Sequence, residues 1–186
     1  IDTYLSRIDN KTSLLNQTIN MVTDLVLIQA KQLRLNPEFF NLDKAINAVV
    51  REIKKEKKEY SIILEGKSGE IFADKERIGQ VLINLLNNAI KYSPKTEKIV
   101  VSIKTTSQEA IIAVQDFGIG IVKKDQEKVF ERFFRVKGAH EKTYPGFGLG
   151  LYVSSEIIRR HRGRFWVRST KGKGSIFSFS LPLAKK

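Results

Sequence analysis

The chain has no cysteine among its 186 residues. That excludes a disulfide framework and any thiolate metal site. A thiol-free chain suits a reducing compartment, and a cytoplasmic location is expected. No apolar run reaches the roughly 18–20 residues a membrane span needs, and no signal peptide is visible. No internal repeat is found, and no nucleic-acid module signature appears. A P-loop is missing too, because no G-x-x-x-x-G-K-[ST] occurs. Acidic residues are in the minority, with 20 Asp/Glu against 33 Lys/Arg and a net charge of +13. The surplus is lopsided. Residues 1–66 carry ten Lys/Arg and nine Asp/Glu, so residues 67–186 hold +12. Such a surface either attracts polyanions or serves solubility, and its dispersed lysines leave both readings open. What is present is 41% hydrophobic and 28% charged residues, enough for a real core.

Residues 1–33 read as one long helix. Ile1, Leu5, Ile8, Thr12, Leu15, Ile19, Val22, Val26, Gln29 and Leu33 follow a 4,3 spacing, and eight of the ten are apolar. This is a coiled-coil-like seam, roughly 50 Å long, that needs partner helices. Leu14, Met21, Leu25 and Ile28 widen it toward a bundle. Asn36-Pro37 is expected to end it. A second helix is predicted over 42–58 with Asn41 as N-cap, and strands over 60–64 and 70–72. Asp74 is predicted to cap a helix over 75–91, which stops before Ser93-Pro94. Strands follow over 98–105 and 110–115, then a short helix over 124–130. A loop over 131–147, a helix over 149–161 and a hairpin of 164–169 with 176–181 complete the chain. The pattern predicts an α+β fold, a two-layer sandwich with helices on one face of a mixed sheet.

The segment Ile83-Asn-Leu-Leu-Asn-Asn-Ala-Ile-Lys-Tyr-Ser-Pro94 carries the strongest chemical signal. Asn84, Asn88, Lys91 and Tyr92 share one face of its helix. Asparagine is a mediocre helix former, so two on one face suggest a task other than folding. An Asn88 carboxamide oxygen suits Mg²⁺, which takes few protein ligands when phosphates supply the rest. Lys91 suits phosphate oxygens as a point charge. A surface helix that merely contains Asn is the plain alternative. Asp116-Phe-Gly-Ile-Gly120 follows an apolar strand. A carboxylate there can accept from an adenine amine while glycines admit the base, although a simple turn explains the same residues. The triplet Asp116-Phe-Gly118 is not a eukaryotic-type kinase motif, since neither its Gly-rich loop nor H-R-D-x-x-x-x-N accompanies it. Gly146-Phe-Gly-Leu-Gly150 opens a helix, where amides and the helix dipole favour anions. Between the loops, Phe130-Glu-Arg-Phe-Phe-Arg135 suits a lid in which Arg135 reaches a γ-phosphate.

In this order the four boxes resemble the catalytic ATP-binding domain of two-component sensor histidine kinases. The resemblance spans about residues 36–183, and Ile157-Ile-Arg-Arg-His161 and Lys173-Gly-Ser175 add to it. It implies the Bergerat fold, shared with Hsp90-type chaperones, gyrase-type topoisomerases and mismatch-repair ATPases. It implies ATP and Mg²⁺ as cofactors, with Asp116 on adenine, Asn88 on the metal, Asn84 assisting, and Lys91 and Arg135 on phosphates. Asn84, Lys91 and Arg135 form the implied catalytic set. Nucleotide contacts are further implied at Tyr92, Gly118, Gly120, Ile121, Gly146, Gly148, Leu149, Gly150 and Ser175. Residues 1–35 resemble the second helix of the dimerisation and phosphotransfer hairpin, and 36–186 the catalytic domain. The implied partners are a second copy, paired through that hairpin, and a response-regulator receiver. No nucleic acid is expected, and a membrane only through segments upstream, as in an inner-membrane sensor.

One departure matters. The family's phosphoacceptor His lies on the first hairpin helix, yet this chain holds only His140 and His161. The expectation is a chain that binds ATP but lacks its own acceptor. A related ATPase of the same fold would place Glu where Asn84 stands. A nucleotide-bound interaction module without catalysis is the remaining alternative.

Overall fold

The computed structural model describes residues 2–93, 96–136 and 146–183. It divides into two units, residues 1–34 and 35–186. The first unit is helix α1, Asp2–Gln29. Within it Leu15, Ile19, Val22 and Val26 are exposed large apolar residues, all on the predicted seam. The helix ends before the predicted Asn36-Pro37 stop. Lys31 takes a left-handed conformation (φ 57°), and the N–H groups of Gln32 and Leu33 both donate to the Leu27 carbonyl. This closure satisfies the last carbonyls without the glycine that usually announces it. No helix among the described residues is long and apolar enough to cross a membrane.

In the second unit, β1 (Glu38–Asn41) pairs antiparallel with β3 (Glu70–Ala73) as a separate two-stranded sheet. The strand at 38–41 has no counterpart in the sequence reading. Its pairing partner lies about thirty positions away, and four residues are too short to show periodicity. Helix α2 (Leu42–Glu56) begins where Asn41 Oδ1 accepts from the Lys44 N–H at 2.8 Å. It buries Leu42, Ile46, Val50 and Ile53, one stripe at helical spacing. The main sheet runs β2 (Ser61–Glu65), β4 (Lys98–Thr105), β5 (Glu109–Gln115), β7 (Gly174–Pro182), β6 (Phe165–Thr170). The β2–β4 pair is parallel and the others antiparallel, so the sheet is mixed.

Helix α3 (Lys75–Tyr92) and α4 (Gly150–Arg160) lie on one face of this sheet, as expected. Ile99, Val101, Ile103, Ala110, Ile112, Val114, Phe177 and Phe179 meet Val81, Leu82, Leu85, Leu86, Ile157 and Ile158 in the core. The predicted short helix at 124–130 is instead two 3₁₀ turns, Lys123–Asp125 and Lys128–Phe130. Short segments take 3₁₀ bonds readily because each turn needs only an i→i+3 partner. Phe130 stacks edge-on against Phe165 at 5.2 Å, which anchors the segment to the sheet.

Candidate functional site

Burial of the apolar stripe on α3 fixes where its polar face points. Ile78, Val81, Leu82, Leu85, Leu86 and Ala89 are buried, which leaves Asn84, Asn88, Lys91 and Tyr92 half-exposed. The helix is held at its start by Asp74. One Asp74 oxygen accepts from the Arg77 N–H at 3.0 Å, and the other accepts from the Asn36 N–H at 2.8 Å. The Asp74 N–H donates to His161 Nε2 at 3.0 Å, while His161 Nδ1 lies 2.8 Å from the Ile157 carbonyl. A carbonyl only accepts, so Nδ1 carries the proton and Nε2 is the acceptor. His161 is therefore a clip between the end of α4 and the start of α3.

The two asparagines do different work. Asn84 Nδ2 donates to Ser154 Oγ at 3.0 Å, and its Oδ1 packs where a side chain on Gly150 would stand. Asn88 has no hydrogen-bond partner among the described residues, so its carboxamide oxygen is available. Among these residues no group of three His, Cys, Asp or Glu could hold a metal. A Mg²⁺ that arrives with phosphates and water needs no such group, and Asn88 fits it as a single neutral oxygen ligand.

Lys91 sits 5.1 Å above the Tyr92 ring, and a side chain on Gly146 would approach its Nζ to 3.0 Å. Burial, and then the neighbouring Arg135 guanidinium, lower its pKa from the usual lysine value. The structure thus brings Lys91, Arg135 and the second glycine loop together. Phe133, in a left-handed conformation, donates its N–H to the Gly148 carbonyl at 3.1 Å, so the aromatic box is stitched to that loop. Residues 137–145, including His140, lie outside the described residues. Leu149, buried, leads into α4, whose first turn starts at Gly150.

Asp116 closes the other side. It is buried at the end of β5, and its Oδ1 accepts from the Gly118 N–H (2.9 Å), the Ser175 N–H (3.2 Å) and the Ser93 hydroxyl (3.5 Å). The Ser175 side chain also hydrogen-bonds this carboxylate. Burial raises the carboxyl above its usual 3.8, and the hydrogen bonds from Gly118, Ser175 and Ser93 pull partly the other way. Gly118 is required there, since a Cβ would collide with the Tyr92 carbonyl and come within 2.7 Å of Ser93 Oγ. Gly174 is required too, because its Cβ would run into the Asp116 carbonyl. Gly120 and Ile121 continue the loop, and the Ile121 N–H donates to Ser169 Oγ at 2.7 Å. Ser93, Ser154 and Ser169 are structural partners that the sequence reading did not single out. Ser93 stood there only as a helix stop, and its place before Pro94 was the available signal.

Residues 73–185 match the family described as histidine kinase-, DNA gyrase B-, and HSP90-like ATPase, and the chain belongs to that family. It is 33% identical over 184 residues to the sensor histidine kinase WalK of Bacillus subtilis, covering 96% of this chain and 30% of WalK. Among solved structures, the Acinetobacter baumannii histidine kinase AdeS superposes with a TM-score of 0.76 at 26% identity, covering 97% of this chain and 84% of that one. Histidine kinase ThkA in complex with the response regulator protein TrrA matches at a TM-score of 0.69 and 25% identity, over 91% of this chain and 49% of that one. The chain is thus similar to sensor histidine kinases and spans about a third of the length of WalK. The predicted α/β sandwich is the fold of these catalytic domains.

Proposed function

We propose that this chain binds Mg·ATP and is the catalytic part of a sensor histidine kinase, delivering the γ-phosphoryl to a histidine that it does not itself supply. The carrying observation is Asp116, buried and oriented by three donors opposite a helix face that presents Asn88 and Lys91. Asp116 accepts from the adenine amine. Asn88 would hold Mg²⁺, which would supply positive charge beside the phosphates. Lys91 and Arg135 meet the phosphate oxygens, and the α4 N-terminus at Gly150 adds its dipole. Asn84 acts as a positioning residue that fixes α4 against α3. Catalysis here is placement and charge stabilisation, as phosphoryl transfer demands.

Histidine chemistry supports this reading at His161. A phosphoacceptor needs a ring nitrogen with a free lone pair. In His161, Nδ1 donates to Ile157 and the Nε2 lone pair accepts from Asp74, so neither is free. The exposed seam of α1 fits the second helix of a dimerisation hairpin, with the acceptor on a first helix outside this chain and a receiver domain as the onward partner. The test is calorimetry with ATP, with and without Mg²⁺, followed by radiolabelled γ-phosphate transfer. The chain is expected to bind ATP, remain unlabelled, and label a separately added hairpin. Steady-state hydrolysis by the isolated chain, or stable label on His140 or His161, would falsify this reading.

A further inference from the structure

A cleft of about 710 Å³ opens at the end of the main sheet, lined by Gln115, Lys123, Gln126, Arg168, Lys171 and Lys173 among others. Asn84, Asn88 and Lys91 do not border it, and of the nucleotide residues only Asp116, Ile121 and Ser175 do. Strand alternation places its floor away from the helices. Ala110, Ile112 and Val114 of β5 are buried on the helix side, so Gln115 points to the other face. Gln115 is in register with Ile176, and Ile176 with Arg168, so the three form one row across β5, β7 and β6.

The walls are fixed without a ligand. The Gly172 N–H donates to the Ile119 carbonyl at 2.8 Å, and Gln126 Nε2 donates to the Ser169 carbonyl at 2.8 Å. These bonds lace the β6–β7 hairpin to the first glycine loop and to the segment after it. Four exposed cations stand around the opening: Lys123, Arg168, Lys171 and Lys173. None of them is ion-paired with a carboxylate of a described residue. Like charges gathered on one concavity repel each other and focus a field that favours a multiply charged anion. The volume suits a small molecule, whose sites span about 300–1,000 Å³. Arg168 offers a planar fork for phosphate, the lysines offer point charges, and Ile176 and Gln115 offer an apolar and an amide surface beside them.

We propose that this cleft is a second ligand site, on the opposite face of the sheet, for a small soluble phosphate-bearing molecule. It is wired to the first site. The Asp116 N–H donates to the Ser175 carbonyl at 2.9 Å, the Ser175 N–H returns to Asp116 Oδ1, and the β6–β7 turn ends at Gly174 against Asp116. A ligand that draws Lys171 and Lys173 toward Arg168 loads the turn that holds Asp116. Occupancy therefore changes nucleotide affinity, and nucleotide changes effector affinity by the same factor. This coupling rests on the nucleotide reading, whereas the anion site does not.

The test is a titration of inorganic tripolyphosphate into the ¹⁵N-labelled chain carrying Lys91→Met, which removes a phosphate-binding cation of the first site and leaves the cleft's cations intact. Amide shifts are expected at Lys123, Gln126, Arg168 and Lys171. Combining Arg168→Ala with Lys171→Ala is expected to weaken binding about tenfold or more, the scale of one or two charge-assisted bonds. Lys171→Ala alone, on an exposed turn, is expected to give a smaller loss with circular dichroism unchanged, which keeps the test valid if the pair misfolds. Shifts confined to Asn88 and Arg135, or an affinity indifferent to both cleft variants, overturn the proposal. Tighter binding of a poly-glutamate peptide than of tripolyphosphate also overturns it, in favour of an acidic protein segment. ATP binding by the unmodified chain reports on the first site separately.

Discussion

Asn84 Nδ2 donates to Ser154 Oγ at 3.0 Å and ties the middle of α3 to the first turns of α4. Ser154 is almost fully buried whereas Asn84 is half-exposed, so the bond is partly shielded from water. Removing Asn84 leaves the buried Ser154 hydroxyl unsatisfied, at about 1–3 kcal/mol, and removing Ser154 costs less. The double variant Asn84→Ala/Ser154→Ala is expected to cost less than the sum of the singles. A double-mutant cycle by urea denaturation measures this, and strict additivity would show that the bond carries no coupling.

Asp116→Asn keeps an acceptor for Gly118, Ser93 and Ser175 but removes the charge. ATP affinity is expected to fall about 10–100-fold by calorimetry, the scale of a hydrogen bond to a charged group. The pH signs run in opposite directions. Burial holds the folded carboxyl above 3.8, so the folded chain binds this proton more tightly than the unfolded chain. Its contribution to stability is gained as pH falls through the folded value and is lost as pH rises. ATP affinity should instead decline on acidification above pH 3.8, because the ionised form is the stronger acceptor. In Asp116→Asn both slopes should flatten.

Lys91→Met is expected to abolish most phosphate-dependent affinity while raising the melting temperature of the nucleotide-free chain by about 1–3 °C. The reason is that the ammonium is half-buried and faces Arg135. Its folded pKa lies below 10.5, so stability from this group rises as pH climbs through the folded value toward 10.5. Differential scanning fluorimetry across alkaline pH should show that slope in the parent chain and lose it in the variant.

Two glycines on or beside α3 should respond oppositely to alanine. Gly118→Ala meets the Tyr92 carbonyl and Ser93 Oγ, and about 1–3 kcal/mol should be lost, with ATP binding. Gly79 lies inside α3 with nothing near its missing Cβ. Gly79→Ala should stabilise the chain by about 0.5–1 kcal/mol through helix propensity. A destabilised Gly79→Ala in chemical denaturation would contradict this account of α3.

His161→Ala removes the acceptor for the Asp74 N–H and should cost about 1–3 kcal/mol in urea denaturation. Phosphoryl transfer to an added hairpin, measured at a temperature where the variant is folded, should persist. Loss of transfer from a folded His161→Ala would give this histidine a chemical role instead of a structural one.

The helices and strands of the second unit were legible where periodicity is long. α2, α3, β4 and β7 lie within a few residues of their predicted places because apolar stripes and Asn41 and Asp74 caps are local signals. β1 was missed because its pairing with β3 is non-local. The end of α1 was misplaced because Lys31 adopts a left-handed cap without glycine.

The sequence by itself determined the family, through four ordered boxes, and the chemical types at the site: carboxylate, carboxamides, cations and glycines. These survive translation into a string because each depends on residue identity and short spacing. Only the tertiary structure decided which of two asparagines is free and which is tied to Ser154, and that His161 is a clip with both ring nitrogens in use. It alone also set Lys123, Arg168, Lys171 and Lys173 around one cleft behind Asp116. Such assignments depend on side chains meeting across elements tens of residues apart, and no local pattern records which partner burial will bring within hydrogen-bond distance.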